Sequence, residues 1–332
     1  MTELTIPADD RMRLTVLGGY LGSGKTTWLR HQLHAGHYED AFVVVNEAAE
    51  TPVDDALLAR SLRLVTLAGG CACCEGLGDL IVLLRSICDE RSRSHWERSR
   101  LARIVLETSG LADPAPIAAA IRTDPVLVHH VVVNDIVVAV DALNGLAHLR
   151  AEPLGRRQAE TADRLVVTKV DEADPAAVAR LLAALRFLNP GAAVCGAVKG
   201  SQTRLPVVGG AEALPDLAQA PDRPPVFATK LTLGGLVDWT AFTVWLSALL
   251  HARGDDVVRV KGVVRTPAGR LLLQSVRGVV QSPEILPEAK ESRDDNTIVV
   301  IGRGYHSGDL RRSLEHFAGA RGSGSIALTG SS

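Results

Sequence analysis

The chain has few aromatics, few cysteines and almost no net charge. Phe, Trp and Tyr make up 4% of it, and the formal net charge is −2. With no long basic run, the composition argues against nucleic acid as the main partner. No apolar run approaches the length of a membrane span, and the opening "MTELTIPADDRMR" lacks the apolar stretch of a secretory signal. Five cysteines, an odd number with three packed into "GGCACCEG" at 69–76, do not resemble a disulfide framework. These absences point to a cytoplasmic protein with reduced thiols and no membrane partner. What is present, 332 residues of which 46% are apolar, is enough for one large domain or two ordinary ones.

The runs "RLTVLGG", "AFVVVNE", "RLVTLAG", "RIVLETSG", "DIVVAVDA" and "RLVVTKVD" are nearly continuous in Val, Ile and Leu. Strands covered on both faces have that texture. Helical stretches such as "LGDLIVLLRSICDERS" and "DPAAVARLLAALRFLNP" lie between them. The alternation predicts an α/β fold with a doubly wound, mostly parallel sheet over residues 1–200. Residues 201–225, rich in Gly and Pro, read as a linker. A smaller α+β domain is expected over 226–320, and a disordered tail over 321–332.

"GYLGSGKT", Gly19 to Thr26, matches the phosphate-loop pattern G-x-x-x-x-G-K-[ST] between a strand and a helix. Gly19, Gly22 and Gly24 let backbone N–H groups turn inward, and the helix N-terminus favours the same anion. Lys25 supplies a positive charge to the β- and γ-phosphates, and the Thr26 hydroxyl can ligate Mg²⁺. Ser23 and Thr27 belong to the same nucleotide-binding stretch. Further on, "TKVD" follows an apolar strand. A carboxylate at Asp171 can accept from guanine N1–H and its 2-amino group, which adenine cannot offer. The Lys169 stem can cover the base plane, and Thr168 completes the segment.

Together these residues resemble the CobW-type GTPases, a P-loop metallochaperone family within the CobW/HypB/UreG group. The resemblance runs from about residue 12 to 318. It rests on "GYLGSGKTT", "NE" at Asn46–Glu47, "GGCACC", "ETSGLADPAPI", "VDA" at 140–142, "TKVD" and "VVRVKGVV". It implies GTP binding and slow Mg²⁺-dependent hydrolysis. It also implies a transition metal, zinc or cobalt, held by the cysteines and delivered to a client metalloprotein or cofactor-assembly protein. A nucleotide- or metal-dependent oligomer is a further possibility. The chain departs from the family in three places. Thr168 stands where the family has Asn, "AAE" and Pro52 replace Phe-Gly-Glu after Glu47, and there is no His-rich tract.

Thiolates from Cys71, Cys73 and Cys74 can reach one tetrahedral ion if the flanking glycines let the backbone curl. Glu47 is the candidate fourth ligand, with Glu50 behind it. Zinc and cobalt fit such a site, and copper(I) fits on softness. Cys71 and Cys74 could instead act as a redox dithiol, but that reading expects a thioredoxin-like setting. Cys88 and Cys195 read as core residues. Glu107 is expected to hold Mg²⁺ through a water or orient the attacking water. Gly110 would let the backbone approach the γ-phosphate, and Asp113 before Pro114 reads as a helix cap. His31, His34 and His37 read as solvated histidines near a helix end. Alternative functions are a dedicated activator of a metalloenzyme such as nitrile hydratase, a zinc or redox sensor, and a P-loop kinase.

Overall fold

The structure is a computed structural model describing residues 10–38, 41–46, 63–67, 76–93, 101–206, 227–233, 238–254, 256–267, 269–276, 279–280, 283–286 and 295–319. The chain divides into two compact units between Arg223 and Pro224.

In the first unit seven strands lie parallel: β1 (Met12–Gly19), β2 (Ala41–Asn46), β3 (Arg63–Leu67), β4 (Arg103–Glu107), β5 (Val131–Asp141), β6 (Arg164–Thr168) and β7 (Ala193–Val198). Their order is β3-β2-β4-β1-β5-β6-β7, and β8 (Ser201–Thr203) returns antiparallel to β7. The helices are α1 (Lys25–His34), α2 (Leu77–Arg93), α3 (Pro114–Thr123), α4 (Leu127–His130), α5 (Gly145–Ala151), α6 (Pro153–Thr161) and α7 (Pro175–Leu188). The doubly wound class expected from the strand–helix alternation is therefore the class observed. Residues 201–203, assigned above to a linker, instead form β8, because a turn at Lys199 and Gly200 folds the chain back onto β7. The rest of that linker beyond residue 206, and the expected tail, lie outside the described residues.

The apolar runs become strands because both faces are buried. Leu17, Val43, Val105, Val137 and Val166, one from each of five adjacent strands, pack with Trp28, Leu29 and Leu33 of α1. Asp113 caps α3 as its sequence suggests: its carboxylate accepts from Ala115 N–H at 3.0 Å, and Pro114 takes the first helical position. Strands β4 and β5 flank β1, and the chain crosses the sheet between them. The carboxyl end of β1 is thus a topological switch point, where such sheets bind ligands.

The second unit is an antiparallel sheet with helices on one face. It comprises β9 (Phe227–Thr232), α8 (Trp239–Arg253), β10 (Val257–Thr266), β11 (Gly269–Val276), β12 (Val279–Val280), β13 (Glu284–Leu286), β14 (Thr297–Gly302) and α9 (Ser307–Gly319). The order is β12-β11-β10-β14-β9, with β13 also paired to β11. Phe242, Trp245 and Leu246 of α8 and Leu310 and Leu314 of α9 bury the inward residues Val260, Val264, Ile298 and Val300. Asp238 caps α8, accepting from Thr240 N–H at 2.9 Å and Ala241 N–H at 3.1 Å.

Candidate nucleotide site

The site is built at the carboxyl ends of β1, β4, β5 and β6. Strand β1 ends at Gly19 with φ of 136°, where a Cβ would stand 2.4 Å from the Ala139 carbonyl oxygen of β5. Only glycine lets β1 leave the sheet this close to its neighbour. The loop that follows ends at Lys25, the first residue of α1, so the helix N-terminus opens onto the loop. The buried Lys25 ammonium donates to the carbonyls of Gly19 (2.8 Å) and Tyr20 (3.1 Å).

Parallel pairing sets Glu107, the last residue of β4, beside Leu17 of β1. The hydroxyl of Thr26, the second residue of α1, donates to Glu107 Oε1 at 2.5 Å. Glu107 is 1% exposed, and its Oε2 is buried with no hydrogen-bond partner. Burial pushes the Glu107 carboxyl up, against the opposing pull of Thr26, Lys25 and Arg30. Burial also pushes Lys25 down, partly offset by Glu107. Both charges sit where water is scarce and electrostatic interactions are strong. An unpaired carboxylate oxygen beside a hydroxyl is a donor set of hard oxygens, and it fits Mg²⁺.

The "TKVD" segment divides its labour. Thr168 is buried under the loop, and its hydroxyl donates to the Ser23 carbonyl at 2.7 Å. Although it belongs to the segment expected to recognise the base, its hydroxyl is engaged in bracing the phosphate loop. Lys169, at φ of 55°, reaches across to donate to the Gly22 carbonyl (2.9 Å) and Asp141 Oδ2 (2.8 Å). Asp141 also accepts from Leu143 N–H (2.8 Å) and Asn144 Nδ2 (3.2 Å). Burial alone would raise its carboxyl, but these donors outweigh it and the group titrates below its ordinary range. Asp171 stands exposed in the turn, and Thr27 is exposed on α1. The Ser23 hydroxyl oxygen is buried without a partner.

Gly110 lies against the phosphate loop: a Cβ there would come within 2.7 Å of Leu21 N and Cδ2. The sequence assigned no role to two residues near it. Asp141 ends the strand-like run "DIVVAVDA", and an acid at a strand end is a usable signal, while its place beside Thr168 follows from the β5–β6 pairing. Gln158, whose amide reaches the Gly110 and Ala112 carbonyls, carries no local signal at all. His31 packs against the β7–β8 turn with Nε2 2.9 Å from Ser201 Oγ, while His34 and His37 are exposed. Cys88 is buried, and Cys195 half-buried; burial raises both thiols, Cys88 to about 11. Cys71, Cys73, Cys74 and Glu47 lie outside the described residues. Among the described residues no three His, Cys, Asp or Glu side chains gather as a metal site.

The family model for the CobW/HypB/UreG nucleotide-binding domain matches residues 13–195, and that for the cobalamin synthesis protein CobW C-terminal domain matches residues 228–318. The chain belongs to the CobW/HypB/UreG family. Among curated relatives, the zinc chaperone YjiA of Escherichia coli is 34% identical over 164 residues, covering 49% of this chain and 51% of YjiA. The zinc chaperone CobW of Pseudomonas aeruginosa is 28% identical over 311 residues, covering 80% of each. The zinc-regulated GTPase metalloprotein activator 1 of Schizosaccharomyces pombe is 32% identical over 174 residues, 49% of this chain and 40% of that one. The chain thus spans about half the length of YjiA and less of the activator in these matches. The crystal structure of Zn(II)-bound YjiA GTPase has the same fold, with a TM-score of 0.60 at 24% identity, covering 94% of this chain and 99% of that one.

Proposed function

We propose that this CobW/HypB/UreG-family chain is a GTP-dependent zinc chaperone. The observation that carries the reading is the Thr26–Glu107 pair, with its unpaired Glu107 oxygen, set against the Lys25 loop at the switch point of the sheet. Mg²⁺, when bound, supplies Lewis-acid charge to the phosphates, and Thr26 and Glu107 would hold it. Lys25 exchanges the Gly19 and Tyr20 carbonyls for phosphate oxygens. Gly19, Gly22, Ser23 and Gly24 line the cradle with backbone N–H groups. Gly110 presents backbone next to the loop, and Glu107 orients the attacking water. Thr168 and Lys169 keep the cradle in shape, and Asp171 receives guanine. Hydrolysis is slow, because the sequence offers no recognisable arginine finger.

Zinc is the cargo. Cys71, Cys73 and Cys74 hold it, with Glu47 as fourth ligand, and GTP binding alters its affinity through the loops that follow β2, β3 and β4. The names of YjiA and CobW support zinc over cobalt. We assign the N-terminal unit to the GTPase and the C-terminal unit to client docking, in the cytoplasm, where thiols stay reduced. The activator from Schizosaccharomyces pombe supports a second reading, in which the metal goes to one dedicated metalloprotein client. The test is a zinc titration of the reduced protein with Mg²⁺ and GDP, repeated on Cys71/Cys73/Cys74→Ser. Tight one-to-one binding that the triple substitution abolishes is expected. Binding that survives it would remove the cysteines from the mechanism.

A further inference from the structure

Gln158 is buried in α6, 1% exposed, outside the nucleotide contacts described above. Its amide Nε2 donates to the Ala112 carbonyl at 2.7 Å and to the Gly110 carbonyl at 3.4 Å. The neighbouring Arg157 pairs with Asp113 at 3.2 Å. One turn of α6 therefore grips the segment Gly110–Asp113 between β4 and α3. The helix is itself anchored: Asn189 Nδ2 donates to the carbonyls of Ala159, Glu160 and Ala162 at 2.9, 3.1 and 2.8 Å. On its other side the segment touches the phosphate loop, where Gly110 leaves no room for a Cβ beside Leu21. Gln158 also lines a cavity of about 20 Å³ with Tyr20, Ser23, Asp141 and His148. That is space for roughly one water beside the Gln158 side chain.

We infer that Gln158 is a positioning residue that sets how strongly the chain distinguishes GTP from GDP. The inference rests on the nucleotide reading above. GDP is held by the Gly19–Thr26 loop, which Gln158 does not hydrogen-bond. Only a γ-phosphate engages the segment after Glu107, where Gly110 offers its backbone. A segment already fixed by buried hydrogen bonds has less freedom to lose when it closes on that phosphate. The two bonds have different parts in this. The short one to Ala112 is a pivot, and the long one to Gly110 is weak enough to yield as the Gly110 peptide turns.

The experiment compares GDP with the non-hydrolysable analogue GppNHp, both with Mg²⁺, in wild type, Gln158→Met and Asn189→Ala. Methionine fills similar space and donates no hydrogen bond. GppNHp affinity should fall roughly three- to tenfold in Q158M, the range set by one or two net hydrogen bonds. GDP affinity should stay within about twofold. N189A, which loosens the helix that carries Gln158 but keeps the Gln158 amide, should lower Tm and shift the GppNHp-to-GDP ratio in the same direction by clearly less than Q158M. If Q158M does not fold, Gln158→Asn, one methylene shorter, should shift the ratio the same way. Equal losses for both nucleotides or an unchanged ratio in Q158M, or a ratio shift in N189A as large as in Q158M, would each overturn the inference. Wild type that binds neither nucleotide would instead overturn the nucleotide reading, and this inference with it.

Discussion

Replacing Thr168 by Val removes one hydroxyl and keeps the branched shape that packs beneath the phosphate loop. The lost bond is the 2.7 Å donation to the Ser23 carbonyl. Thr168 Oγ1 lies 3.4 Å from the Val140 carbonyl, a far weaker contact, so Ser23 bears the loss. A buried acceptor left unpaired costs about 1–3 kcal/mol. If the loop keeps its shape, the cost appears as stability, and Tm of the N-terminal unit falls by about 2–12 °C. If the loop relaxes to rehydrate the carbonyl, the cost appears in binding, and GDP affinity falls by about 5- to 150-fold. Differential scanning fluorimetry and GDP calorimetry on the same samples divide the two. A Thr168→Val protein with unchanged Tm and unchanged GDP affinity would refute the claim that this residue braces the cradle.

Two further substitutions probe independent parts of the molecule. Glu107→Gln should lose Mg²⁺-dependent hydrolysis and alter the pH dependence of stability. The Glu107 carboxyl titrates above its ordinary value when folded, so its stabilising contribution is present at low pH and is lost as pH rises through the folded pKa. Relative to wild type, Glu107→Gln should therefore gain stability as pH is raised through the acid range. A Tm difference that stays constant with pH contradicts this. Asp238→Ala removes the two N-terminal cap bonds of α8 and should destabilise the C-terminal unit by about 1 kcal/mol. Nucleotide affinity should not change, and a large loss of GDP binding would show that the two units are not independent in this respect.

The parallel sheet was legible because its strands are nearly continuous in Val, Ile and Leu, and the phosphate loop because glycine spacing carries its own geometry. The cap at Asp113 was legible for a local reason too, since Asp before Pro states where a helix starts. Thr168 shows the limit. Its neighbours point to the base, yet the direction of its hydroxyl depends on β6 lying beside β5 and beneath Ser23, which local sequence does not encode. Gln158 is further out of reach: its partners are 46 and 48 residues away, and a glutamine in a short helix ordinarily faces solvent. The start of the linker was misplaced because glycine and serine serve a hairpin turn as readily as a flexible segment.

The claim that nucleotide and metal are coupled is tested most directly by a thermodynamic cycle. Zinc affinity is measured on the reduced protein with Mg²⁺ in apo, GDP-bound and GppNHp-bound forms, and GppNHp affinity is measured with and without zinc. Linkage requires the two effects to be the same factor. The account predicts that GppNHp changes zinc affinity at least severalfold relative to GDP, and that zinc changes GppNHp affinity by the matching factor. Equal zinc affinity in all three nucleotide states would contradict it and leave a GTPase whose cysteines serve some other end.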